Sequence, residues 1–115
     1  MRRFGYPWIW ILDEDVEFRT LIAEFAAYFH FQTFDFSDFA EAQSGFLFYK
    51  DYVRKFPALH SLCGVIATSS PAQVEQMSQW FLEIEQAFPD VKTVNLRETR
   101  PKTVAEIFEL FERFK

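Results

Sequence analysis

Three consecutive acids, Asp13-Glu14-Asp15, follow directly on the apolar run Trp8-Ile9-Trp10-Ile11-Leu12. A short apolar run of this kind reads as a buried strand, so the carboxylates stand at a strand end. In an open α/β sheet the carboxyl ends of the strands rim the ligand crevice. Adjacent carboxylates there, Asp13 and Glu14 first, can offer hard oxygen ligands to a divalent cation. Two carboxylates make a weak magnesium site, because the ion prefers near-octahedral oxygens and gives up water reluctantly. The same acids also read as a solvated turn in which Asp15 caps the next helix. In that case Asp13→Asn would leave stability unchanged, or raise it by relieving repulsion.

The other reactive side chains read as structural. Thr68-Ser69-Ser70-Pro71 has the order of a helix entry, a hydroxyl cap followed by proline in the first turn, and no Gly-x-Ser-x-Gly elbow surrounds it. His30 and His60 have no partner His or Cys at ligand spacing. Cys63, the only cysteine, lies among Leu62, Val65 and Ile66 and reads as an inert thiol in a reducing cytoplasm. Three glycines make no phosphate loop.

The elements that must position these residues follow from apolar periodicity. After the strand Trp8–Leu12 comes a helix from Val16 to Phe29, with Phe18, Leu21, Ile22, Phe25 and Phe29 on one stripe. Residues 31–36 alternate as a second strand, and Ser37 or Asp38 then offers an N-cap with Glu41 as its capping-box partner. Phe39, Ala42, Phe46, Tyr49, Val53 and Phe56 recur at steps of three and four, which predicts one helix to about Lys55, ended by Pro57. Leu62 to Ala67 reads as a third strand. The next helix carries Val74, Met77, Phe81, Ile84 and Phe88 inward and stops at Pro89. Asp90 to Leu96 is a fourth strand, and Thr103 caps a last helix with Val104, Ile107, Phe108, Phe111 and Phe114 inward. Alternating strands and helices imply a parallel sheet, here of four to five strands, between two helical layers.

The acidic pair at Asp13 and Glu14 and the helix start from Asp15 to Arg19 resemble the opening of a response-regulator receiver domain, a flavodoxin-like fold. Phe36-Ser37-Asp38-Phe39-Ala40-Glu41-Ala42 resembles that family's entry into its second helix, with Phe39 where glycine is usual. Arg100-Pro101-Lys102-Thr103-Val104 resembles its Lys-Pro turn into the last helix, with Arg100 at the lysine position. The resemblance implies a receiver shortened by about one strand and helix. It places Thr68 either at the phosphorylated aspartate or at the switch hydroxyl, and in both alignments the acceptor is absent. A pseudo-receiver follows: a non-enzymatic protein-protein interaction module in two-component signalling or regulation, needing no cofactor beyond weakly held magnesium. The alternative is a working phosphoacceptor that uses Asp51, which requires a very short second helix. A small flavodoxin-like enzyme is a third possibility, by fold analogy alone.

A chain of 115 residues, half of it apolar, predicts one domain spanning 1–115 that buries a real core. A net charge of −5 with scattered basic residues disfavours binding of nucleic acid. Arg2 and Arg3 precede an apolar run too short for a signal-peptide core, and no window is long enough for membrane insertion. Sixteen phenylalanines, three tryptophans and four tyrosines exceed what so small an interior absorbs. Phe48 and Tyr52, four residues apart and opposite the core stripe, with Leu47 beside them, are candidate interface anchors. The other reading packs them beneath residues 56–61. Trp80 and Leu82 extend the candidate surface, and Ala23 and Ala27 offer a smooth second one. The partner is another protein or a second copy.

Overall fold

A computed structural model describes residues 6–96 and 100–115. The strands are β1 (Trp8–Leu12), β2 (Gln32–Phe36), β3 (Leu62–Ala67) and β4 (Lys92–Asn95). The helices are α1 (Val16–Tyr28), α2 (Phe39–Lys55), α3 (Val74–Ala87) and α4 (Val104–Glu112), with short 3-10 turns at Pro57–Leu59 and Pro71–Gln73. All pairings are parallel and the order is β2-β1-β3-β4.

Alternation along β1 explains the layers. Ile9 and Ile11 enter a cluster with Phe18 and Ile22 of α1 and Ile107 and Phe111 of α4. Trp10 and Leu12 enter another with Phe46 of α2 and Met77, Trp80 and Ile84 of α3. The chain moves one way in the sheet through α1 and the other way through α2 and α3, so right-handed crossovers require these helices on opposite faces. The outcome is a flavodoxin-like three-layer α/β fold with four parallel strands. Arg2 and Arg3 lie outside the described residues.

Several helix ends obey local rules. Asp15 accepts from the backbone N–H groups of Glu17 and Phe18. Thr103 and Glu106 form a complete capping box. Asp38 caps α2 through the N–H of Glu41, while the Glu41 carboxylate accepts from Ser37. Helix α1 ends with His30 at φ 67°, its N–H donating to Ala27 and that of Phe31 to Ala26, the pair of bonds of a Schellman end. The hydroxyl cap expected at residues 68–70 does not form: neither the 3-10 turn nor α3 has a side-chain cap bond.

Five residues assigned to the interior or the surface lie elsewhere. Phe56, the last position of the α2 stripe, is exposed, because the helix ends at Lys55 and Phe56 is its C-cap. Leu21, Val104 and Phe108 are exposed, because α1 and α4 meet along a narrow seam centred on Ile22, Ala26, Ile107 and Phe111. Trp80 is buried, packed edge-on against Phe39 and Phe46, so the inner stripe of α3 is one residue wider than its three-four spacing suggests.

Gly64 marks a close approach. The Phe114 ring occupies the space that a Cβ at residue 64 would fill, next to the β-bulge where Trp8 pairs with Leu62 and Ile9 with Gly64. Gly64→Ala is expected to cost about 1 to 3 kcal/mol by overpacking, and Gly64→Ala with Phe114→Leu to recover part of it. Equal losses in the single and double variants by urea denaturation would place the strain elsewhere.

Candidate functional site

Parallel pairing of Leu12 with Ala67 brings the next residues, Asp13 and Thr68, out side by side at the carboxyl ends of β1 and β3. The Thr68 N–H donates to the Leu12 carbonyl at 3.0 Å and the Asp13 N–H to that of Phe36 at 3.2 Å. This is the switch point of the sheet, since β1 is followed by β2 on one side and β3 flanks it on the other.

Asp13 is no solvated turn residue. Its side chain is 0 % exposed and holds a two-pronged pair with Arg100: Nε donates to Oδ2 at 2.8 Å and Nη2 to Oδ1 at 2.7 Å. The Asp15 N–H adds a third bond to Oδ1 at 2.8 Å. The planar fork of arginine matches a carboxylate in a way a lysine ammonium cannot. The guanidinium also lies 5.5 Å from the centroid of the Phe18 ring. Arg19 braces the same turn, donating from Nη1 to the Asp13 carbonyl at 2.5 Å and from Nε to Asp35 at 2.9 Å.

Burial pushes the Asp13 carboxyl up, but the Arg100 hydrogen bonds, the Asp15 N–H, the nearby Thr68 hydroxyl and the Arg100 charge outweigh it, holding the group below its ordinary 3.8. The same contacts raise Arg100 further. Thr68 Oγ1 lies near enough to favour the carboxylate, yet among the described residues it completes no hydrogen bond of good geometry. Next to it the buried Ser69 hydroxyl donates to Asn95 Oδ1 at 2.9 Å.

A crevice of about 480 Å³ opens over these residues, walled by Asp13, Glu14, Ser37, Asp38, Thr68 and Arg100. Its chemistry is limited by the ion pair. A carboxylate held ionised by a guanidinium is a poor general base, so Asp13 is ill suited to take the Thr68 proton. The donor set also does not fit a tightly held magnesium ion: Arg100 occupies both Asp13 oxygens, and no three His, Cys, Asp or Glu residues among those described cluster as metal ligands.

The other expected site residues are dispersed. Asp51 is inside α2, not at a strand end, and pairs on the surface with Arg54 at 2.6 Å and Lys55 at 3.2 Å. The helix stays long because its three-four apolar spacing runs unbroken past Gly45. Leu47, Phe48, Tyr52 and Leu82 are exposed. Phe48 and Tyr52 stack at 6.3 Å and 10°, and Tyr52 continues to Phe56 at 5.5 Å, so the rings form a ladder in solvent. Ala27 is exposed and Ala23 half-buried. Cys63 is half-buried, and burial pushes its thiol up to about 11, which keeps it protonated and unreactive.

Periodicity gave no sign of a chain of hydrogen bonds at the opposite end of the sheet. The Tyr49 hydroxyl accepts from the N–H groups of Ser61 and Leu62, both at 3.0 Å, and lies 2.7 Å from His60 Nδ1. His60 Nε2 reaches Asp90 at 3.2 Å, and the His60 ring stacks on Phe88 at 4.5 Å. With both hydroxyl acceptor positions filled, Tyr49 donates to Nδ1 and His60 carries its proton on Nε2. A tyrosine on an inner stripe and a histidine just before a strand were the available signals.

No helix among the described residues is long and apolar enough to cross a membrane. Comparison with family profiles, curated proteins and solved structures gives no match to this chain.

Proposed function

We propose that this chain is a pseudo-receiver: a non-enzymatic, non-phosphorylatable protein-protein interaction module of a cytoplasmic signalling or regulatory assembly. One observation carries the reading. The strand-end carboxylate that a receiver uses toward magnesium is clamped by Arg100, while the neighbouring strand end presents Thr68 where a carboxylate nucleophile is needed. The guanidinium supplies the positive charge that a cation would bring, so the rim is complete without one. With Asp13 clamped, Glu14 remains at the edge of the crevice, and the Asp13 and Glu14 pair would make weak magnesium contact only. Binding then falls to the surface, where Leu47, Phe48 and Tyr52 are exposed together. A net charge of −5 fits a protein partner or a second copy better than nucleic acid.

Incubation with acetyl phosphate and magnesium tests the reading by intact-mass spectrometry. The expected result is no phosphoryl adduct for the natural chain, and none for Asp51→Asn. A stable adduct abolished by Asp13→Asn or Asp51→Asn would overturn it and restore the phosphoacceptor alternative.

A further inference from the structure

His60 ties three elements together at the end of the sheet opposite the crevice. It follows the 3-10 turn at Pro57–Leu59 and stands two residues before β3. Its Nδ1 lies 2.7 Å from the Tyr49 hydroxyl of α2, and its Nε2 lies 3.2 Å from each carboxylate oxygen of Asp90, in the turn before β4. Among the described residues these are the titratable groups that bond to the ring. The Phe88 ring, at the end of α3, covers its face at 4.5 Å. On β3 the Cys63 thiol lies in the field of Asp90 and stays neutral, pushed up to about 11 by burial. The His60 side chain is 20 % exposed, so a proton reaches the imidazole from solvent.

The Tyr49 oxygen has three hydrogen-bonding neighbours: the N–H groups of Ser61 and Leu62 and His60 Nδ1. With a neutral His60 every direction is satisfied, two hydrogens arriving from the backbone and one leaving toward Nδ1. A second proton on His60 makes Nδ1 a donor. Four hydrogens then compete for three directions around one oxygen, and one bond has to be given up. The Tyr49 phenol does not resolve the conflict by ionising, because burial pushes it above its ordinary 10.0. The imidazolium is held by the Asp90 carboxylate and the Phe88 face, and its charged N–H is the strongest of the three donors. The bond lost is therefore one of the two from the backbone.

We infer that His60 is a pH-sensitive latch: neutral, it lets the Tyr49 hydroxyl pin the start of β3 to α2, and protonated, it releases Ser61 or Leu62 from that hydroxyl. The side chain suited to such switching near neutral pH is histidine. The segment released is the connection 56–61, whose Phe56 and Leu59 are exposed. Phe56 is the last ring of the Phe48–Tyr52 ladder, so acid loosens the edge of that surface.

Amide hydrogen exchange of the full chain, followed by NMR from about pH 8 to about pH 5 and expressed as protection factors, tests this. Protection of the Ser61 or the Leu62 amide is expected to fall at least about tenfold, in step with the movement of the His60 ring resonances. The amide of Ile66, within β3 between two paired strands, should keep its protection and so exclude global unfolding. His60→Asn leaves a side-chain oxygen that accepts from Tyr49 and does not titrate, so both amides should stay protected across the range. Tyr49→Phe removes the acceptor, and both should be weakly protected at every pH. Level protection in the natural chain while the His60 resonances move would overturn the latch. So would resonances that do not move, or an equal fall in His60→Asn.

Discussion

Arg100→Ala is expected to destabilise the protein by about 3 kcal/mol, because it strips the partner from a carboxylate that water cannot reach. Arg100 itself is partly exposed, which places the loss at the lower end of the cost of breaking a buried pair. Arg100→Lys should recover only part of it, since an ammonium cannot reproduce the two parallel bonds. The effect has a pH signature. The Asp13 carboxyl is held below its ordinary value in the fold, so near pH 4 the unfolded chain binds a proton that the folded chain refuses. The stabilisation from this group is therefore complete above about pH 4 to 5 and is lost as the pH falls through the folded value. Urea midpoints measured from pH 7 down to pH 3 should fall steeply for the natural chain. The drop should be shallower for Arg100→Ala, whose Asp13 has lost the group that kept its pKa low. Parallel pH profiles would show that Arg100 is not what holds the Asp13 carboxyl low.

Phe46→Ala is expected to cost about 3 to 5 kcal/mol, a large part of the roughly 5 to 15 kcal/mol that holds a domain folded. Its ring is 1 % exposed and meets Trp10, Trp80 and Phe88 edge-on at 6.4, 6.2 and 6.0 Å between centroids. Rings held at right angles on three sides cannot slide together to fill the space left behind. Phe48→Ala, two residues further along the same helix, removes an identical ring that is 74 % exposed and should change stability by less than about 0.5 kcal/mol. A urea midpoint lowered equally by both substitutions would show that residues 48 and 52 belong to the interior.

The strand–helix order was legible because it rests on periodicity, which needs only the chain's own spacing. Trp8–Leu12, Phe39–Lys55 and Leu62–Ala67 hold at both ends. Exposure within a helix was less legible. Trp80, Leu21, Val104 and Phe108 were misplaced because the width of a buried stripe depends on how neighbouring helices meet, and a single helix does not encode that. At the strand ends the residues themselves were visible: Asp13, Thr68 and Arg100 were all singled out. Their pairing was not, because an ion pair across 87 positions is a property of the assembled sheet. The Tyr49, His60 and Asp90 chain stayed hidden for the same reason, as three elements meet there only after folding.

That separation of 87 residues has a consequence for synthesis. A nascent chain emerging in order makes β1, β2 and β3 before Arg100 appears. Until then Asp13 can be buried only unpaired, and the apolar faces of Phe31 and Ile9, which α4 covers, stay open. Long-range closure comes late in folding because its entropic cost precedes its reward. Residues 100–115 thus act as a lock, and a chain stalled or clipped before Arg100 leaves a sticky intermediate for chaperones and proteases to handle.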